Sequence, residues 1–205
     1  MKKILLGLVF TMFAFQVNAS IFNNGSFETG DLSGWTDNST TGSSSVVTNS
    51  VSYGGTNYSA TDGSYFVELT ADSSLSQNIS WAAGETMSFD WAFLAFDYDP
   101  YFDSSFFSVF NGASLVKALT LADVASVGDY GETIWNTFSY TFVNAGAGQM
   151  TFGVSNLGDN AFSSKLLIDN VSPSAVPVPA AVWLFGSALM GLFGVSRRKS
   201  TAVAA

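Results

Sequence analysis

Short runs of alternating apolar and polar residues, broken by Gly, Asn and Asp, fill the middle of this chain. The longest covers residues 86–96. There Met87, Phe89, Trp91 and Phe93 share one side, and Ser88 and Asp90 take the other. Alternation with a period of two puts successive side chains on opposite faces of a strand, so each run predicts a strand with one apolar face. Residues 136–143 repeat the pattern with Phe138, Tyr140 and Phe142, and residues 149–155 with Met150, Phe152 and Val154. Further strands are expected at 65–69, 75–79, 105–110, 114–119 and 165–171. Asn111-Gly112 between two of them is a hairpin signal, because both residues tolerate positive φ. Residues 118–125 read as no more than a helical turn, and 39–50 and 121–133 as long surface loops. Many short strands with no sustained helical period predict an all-β, antiparallel β-sandwich, jelly-roll-like, formed by residues 20–172.

Both ends break the pattern. Lys2 and Lys3 precede an apolar run over 4–15, and Val17-Asn18-Ala19 offers small residues for cleavage, so residues 1–19 read as a signal peptide. At the other end, Pro173, Pro177 and Pro179 mark an extended linker over 173–178. An uncharged stretch follows at 179–195. Its seventeen residues would span about 26 Å as a helix, enough for a single C-terminal transmembrane helix. Arg197, Arg198 and Lys199 then begin a basic tail, 196–205, which the positive-inside rule keeps cytoplasmic. The body is thereby placed outside the cytoplasm.

The tail Val176-Pro177-Val178-Pro179-Ala180-Ala181-Val182-Trp183-Leu184, with its Gly186-Ser187-Ala188 step and its Arg-Arg-Lys end, resembles a PEP-CTERM sorting signal. Val-Pro-Val-Pro stands where that family has Pro-Glu-Pro, which leaves the processing bond open. The resemblance implies an exported protein, handled at the inner membrane by an exosortase-type enzyme, destined for the cell surface or matrix, and associated with exopolysaccharide. The alternative is an ordinary single-pass anchor.

Charge narrows the partners. Between residues 20 and 175 the only basic side chains are Lys117 and Lys165, against sixteen acidic ones, a net −14. Such a surface repels nucleic acid and anionic lipid, and it invites a cation, calcium above all outside the cell. Cysteine and histidine are absent, which removes disulfides, the usual zinc sites and His-based nucleophilic catalysis. Two carboxylates would suffice for a glycosidase, but sixteen make chance pairs unavoidable. No nucleophile-elbow or metal-hydrolase motif is present, so a non-catalytic protein is expected.

The stretch Asn24-Gly25-Ser26-Phe27-Glu28, the run Asp62-Gly63-Ser64-Tyr65-Phe66, the run Leu75-Ser76-Gln77-Asn78-Ile79 and the run Leu166-Leu167-Ile168-Asp169-Asn170-Val171 come in an order that resembles galactose-binding-like jelly-roll carbohydrate-binding modules. That resemblance implies that Glu28 and Asp169 share a structural calcium; the alternative is two solvated strand-end carboxylates. A second acidic group, Asp97, Asp99 and Asp103, follows the strongest strand and could form a calcium loop, or a polar turn whose aromatics pack back on the sheet. Tyr98, Tyr101, Tyr130 and Trp135, with Trp81, are the candidate platforms for a sugar ring. The function expected is a carbohydrate-binding module, with calcium as an accessory, against the alternative of a purely structural surface or matrix protein with no defined sugar ligand.

Overall fold

The structure is a computed structural model and describes residues 22–159 and 161–174. Twelve strands form two five-stranded antiparallel sheets and a small hairpin. In chain order they are β1 (Thr36–Asp37), β2 (Ser44–Val47), β3 (Ser50–Val51), β4 (Asn57–Tyr58), β5 (Phe66–Thr70), β6 (Ser73–Trp81), β7 (Thr86–Leu94), β8 (Ser104–Asn111), β9 (Ser114–Asp123), β10 (Asn136–Thr141), β11 (Gly146–Ser155) and β12 (Lys165–Ser174). One sheet runs β1-β6-β11-β8-β9 and the other β10-β7-β12-β5-β2, while β3 pairs with β4. Sequence neighbours pair only at β3–β4 and β8–β9. The remaining ladders join strands distant in sequence, the crossing connections of a jelly roll.

The predicted apolar faces meet between the sheets. Phe89 of β7 lies 4.9 Å from Phe107, 5.1 Å from Phe138 and 4.8 Å from Phe152, ring centroid to centroid. Phe27, Leu69, Leu75, Met87, Phe93, Met150 and Ile168 complete this core, all wholly or almost wholly buried. A second, smaller core lies on the other side of β7 and β12, where Tyr58, Phe66, Ala92, Leu94 and Leu167 pack with Trp135 and Phe96. The alternation in β7 therefore stops at Asp90, and both faces of the strand are covered from there to Leu94.

Several expectations change. The helical turn foreseen over 118–125 is strand as far as Asp123. The one helix described is α1 (Val124–Val127), capped by Asp123, whose carboxylate accepts from the Ser126 N–H. The loop foreseen over 39–50 contains β2, which pairs with β5. The β8–β9 hairpin is present, but Asn111 pairs with Ser114 and the turn falls on Gly112 and Ala113. Strand β9 is the free edge of its sheet, and its ladder with β8 is bulged between Ser105 and Phe106 and between Val109 and Phe110.

Among the described residues no helix is long and apolar enough to cross a membrane. The fold class of the described residues is the all-β sandwich, without the expected C-terminal transmembrane helix. The membrane contact, the exosortase partner and the inner-membrane stage all required that helix and are withdrawn with it. The signal peptide (1–19), the sorting residues Val176, Pro177, Val178 and Pro179, the stretch 179–195 and the basic Arg197, Arg198 and Lys199 lie outside the described residues.

Candidate functional site

The loops at one end of the sandwich collect most of the sequence-predicted site residues. The segment leaving β7 carries Asp97, Tyr98, Asp99, Tyr101 and Asp103. It is laced to the loop after α1: Ala95 N–H donates to Gly131 O at 2.8 Å, Tyr130 N–H to Asp97 O at 2.9 Å, and Asp99 N–H to Asp129 Oδ1 at 3.0 Å. Tyr130 sits at φ +54°, a left-handed conformation that a non-glycine residue adopts only when its surroundings fix it. Gly131 beside it has no room for a side chain, since a Cβ there would lie 2.1 Å from Val127 O.

This lacing brings aromatic rings together. Tyr130 stacks on Tyr53, from the β3–β4 turn, with centroids 4.2 Å apart and planes at 21°. Tyr98 lies 5.6 Å from Tyr130, and Tyr101 meets Tyr98 edge-on at 5.5 Å. Tyr53 is 57% exposed and the other three are half-buried. Four tyrosines from three separate loops thus form one aromatic platform, with the exposed Asp99 and Asp129 at its margin. Tyr98, Tyr101 and Tyr130 were expected from sequence. Tyr53 was not; its only signal is an aromatic residue at a turn tip before Gly54 and Gly55.

The other two aromatic candidates pack inward. Trp135 sets its ring edge-on against Phe66 and Tyr58, and its Nε1–H donates to Ser59 O at 3.1 Å. Trp81 is 4% exposed, stacked on Phe142 at 4.6 Å, at the opposite end of the sandwich. A cavity of about 300 Å³ lies beside it, lined by Asn111, Ser114, Tyr140 and Asn144 among others.

Tyr58 under Trp135 gives the region a pH signature. Its hydroxyl donates to Thr133 O at 2.6 Å. Burial, and then the Glu132 charge, push its pKa from 10.0 up to about 12. A pKa raised by folding leaves stability intact below the unfolded value and removes it as pH climbs through the folded one. The melting temperature is therefore expected to fall between pH 10 and about 12, and less steeply in Tyr58→Phe. An equal fall in both proteins would assign the alkaline loss to another group.

Glu28 and Asp169 do come together, through a shared loop. Glu28 Oε1 accepts from Ser64 N–H and Tyr65 N–H, both at 2.8 Å. Asp169 Oδ2 accepts from Thr61 N–H at 2.7 Å, Asp62 N–H at 3.0 Å and Thr61 Oγ1–H at 3.1 Å, while Oδ1 accepts from Asn170 N–H at 2.7 Å. Gly63 passes so close to Glu28 that a Cβ would lie 2.2 Å from its carboxyl carbon. The Asp169 side chain is wholly buried, and burial raises its pKa although these donors pull the other way. Three of the four carboxylate oxygens, Glu28 Oε1 and both of Asp169, are thus turned onto N–H and O–H donors. They form a carboxylate–amide clamp on residues 61–65. Among the described residues no group of three or more acidic side chains is gathered closely enough to hold a metal ion. Of the second acidic trio, Asp97 and Asp103 turn inward and are fully buried, whereas Asp99 points to the surface.

No protein-family model matches the chain, and a search of the curated proteins finds no match. Solved structures do resemble it. The carbohydrate-binding module TmCBM61, in complex with beta-1,4-galactotriose, is 18% identical with a TM-score of 0.46, covering 76% of this chain and 97% of its own. The cleaved adhesin domain of Lys-gingipain from Porphyromonas gingivalis is 17% identical with a TM-score of 0.48, covering 77% and 100%. A Stig cyclase from Fischerella is 14% identical with a TM-score of 0.49, covering 78% and 98%. The likeness is distant, and it extends to a sugar binder, an adhesin domain and an enzyme alike.

Proposed function

We propose that this chain is a non-catalytic carbohydrate-binding β-sandwich that takes a neutral polysaccharide across the tyrosine platform. The observation that carries the reading is the convergence of Tyr53, Tyr98, Tyr101 and Tyr130 from three loops onto one accessible surface. Tyrosine offers an apolar face for the C–H side of a pyranose ring and a hydroxyl at its tip. Asp99 and Asp129 stand ready to accept from sugar hydroxyls. With sixteen acidic residues against two basic ones in the body, an uncharged glycan is favoured over a uronic or sulfated one. Exopolysaccharide, the partner expected from the sequence, belongs to the same reading, as does export.

The test is affinity electrophoresis or calorimetry on a panel of neutral polysaccharides, comparing the wild type with Tyr53→Ala and Tyr98→Ala. Each substitution is expected to weaken binding about tenfold, roughly 1–2 kcal/mol, with little change in melting temperature. Unaltered binding in both would remove the platform. A lowered melt with no sugar bound by the wild type would support the purely structural alternative, and release of shorter sugars would support an enzyme.

A further inference from the structure

Two Asn-Gly pairs occur in the chain, Asn24-Gly25 and Asn111-Gly112, and the fold treats them in opposite ways. An asparagine side chain is most open to attack by the next backbone nitrogen when that nitrogen belongs to glycine, which has no Cβ to block the approach. Whether the attack happens depends on how freely the two groups move.

Asn24 is tied down. Its Nδ2 donates to Asp31 O at 2.9 Å, and its Oδ1 accepts from Thr29 N–H at 3.3 Å. Its carbonyl oxygen accepts from Phe27 N–H at 3.2 Å and from Trp35 Nε1–H at 3.1 Å. Gly25 lies against the last strand. Its carbonyl accepts from Val171 N–H at 3.0 Å, and a Cβ on it would stand 1.9 Å from Val171 O. The Asn24 amide is thus turned towards residues 29–31, and the segment would have to leave the sandwich before it could react.

Asn111 has none of these restraints. It ends β8 at the tip of the β8–β9 hairpin, and both it and Gly112 are exposed. Its backbone pairs with Ser114, but no hydrogen bond holds its side-chain amide or the Gly112 N–H. Gly112 takes φ +57° at the first turn position, and a Cβ on it would meet nothing within 4 Å. A tip with exposed backbone and few contacts opens at little cost in free energy.

We propose that Asn111 is a site of spontaneous covalent modification, deamidation through a cyclic imide, and that the fold protects Asn24 from the same reaction. The Gly112 nitrogen attacks Asn111 Cγ and loses its proton. A C–N bond forms, the Cγ–Nδ2 bond breaks, and the side-chain nitrogen leaves as ammonia. Water then adds to one of the two imide carbonyls. Opening at one gives aspartate. Opening at the other gives isoaspartate, in which the main chain runs through the former side chain. Nothing is oxidised or reduced, and water is the only co-reactant. Either product puts a negative charge in the wall of the cavity beside Trp81, which Asn111 lines. The isoaspartyl link also lengthens the backbone by one methylene where β8 hands over to β9. The site stands whether or not the tyrosine platform takes sugar.

The test ages the full chain at mildly alkaline pH, below its melting temperature. It follows released ammonia and the peptide map by mass spectrometry, with isoaspartate marked by an isoaspartyl methyltransferase. The gain of one mass unit is expected at least tenfold faster at Asn111 than at Asn24, with isoaspartate among the products. In guanidinium chloride that gap should close, because the bonds that hold Asn24 are gone. Asn111→Gln, whose longer side chain would need a six-membered ring, is expected to end the ammonia release from the hairpin. Equal rates at the two asparagines in the folded protein, or Asn24 reacting first, would overturn the proposal. So would ammonia release undiminished in Asn111→Gln. A gap that survives unfolding would also overturn it, since flanking residues and not the fold would then choose the site. None of these readouts involves a glycan, so failure here is distinguishable from failure of the sugar reading.

Discussion

Phe89→Ala is expected to cost about 4 kcal/mol, and about 10 °C or more in melting temperature. Phe89 is fully buried next to the midpoint of β7, and its ring lies within about 5 Å of Phe107, Phe138 and Phe152. Those rings come from β8, β10 and β11, so the side chain joins both sheets at their centre. Removing it takes away the transfer free energy of a phenyl group and leaves a cavity that rigid neighbouring rings close poorly. Phe138, half-buried at the edge strand β10, should be cheaper to truncate, because solvent can reach the space it leaves. Equal losses for the two, or a loss for Phe89→Ala below about 1 kcal/mol, would mean that the sheets do not pack as described. Chemical denaturation at a single pH is sufficient to measure both.

Asp169→Ala is expected to be the next most damaging change, at about 3 kcal/mol. Four donors converge on this one carboxylate, one from Asn170 and three from residues 61–62, of which the Thr61 hydroxyl is shared with Asp90 Oδ2 at 2.8 Å. Hydrogen bonds to a charged acceptor contribute more than neutral ones, and their loss strands several N–H groups at once. The removal of a buried charge offsets part of that cost, which keeps the estimate below the sum of four bonds. Asp169→Asn should recover only part, since one carboxylate oxygen becomes an NH₂ facing other donors. The decisive control is calcium. A clamp made of amides predicts the same loss in EDTA as in calcium. A loss present only with calcium would mean that a cation, not the loop backbone, is the true partner.

How far the sequence anticipated this depends on element length and on which partners lie close in the chain. Strands β7, β10 and β11 were plain, because six to ten residues of alternation average out single exceptions. Strands β1, β3 and β4 have two residues each and are rich in Ser, Thr and Asn, so no periodicity exists to detect. The second core was invisible for a related reason. Ala92 and Leu94 sit on the face that Ser88 and Asp90 mark as polar, and only the fold shows Tyr58 and Trp135 covering it. At the site, Tyr98, Tyr101 and Tyr130 stood out as loop aromatics, but Tyr53 is remote from them in sequence. The acidic trio shows the opposite error. Asp97, Asp99 and Asp103 are close along the chain, yet the chain turns between Tyr98 and Tyr101 and leaves Asp99 outward, and the N–H groups that hold Asp103 come from the loop after β11.

The shape of β9 has a bearing on how this protein tolerates crowding. Ten residues of free edge offer a row of backbone donors and acceptors to any neighbouring copy. Two bulges twist that edge out of register, and Lys117 places a full charge at its middle. A second β9 laid alongside could match it over only a few residues. Molecules packed densely on a polymer can thus stay individual sandwiches instead of zipping into one continuous sheet.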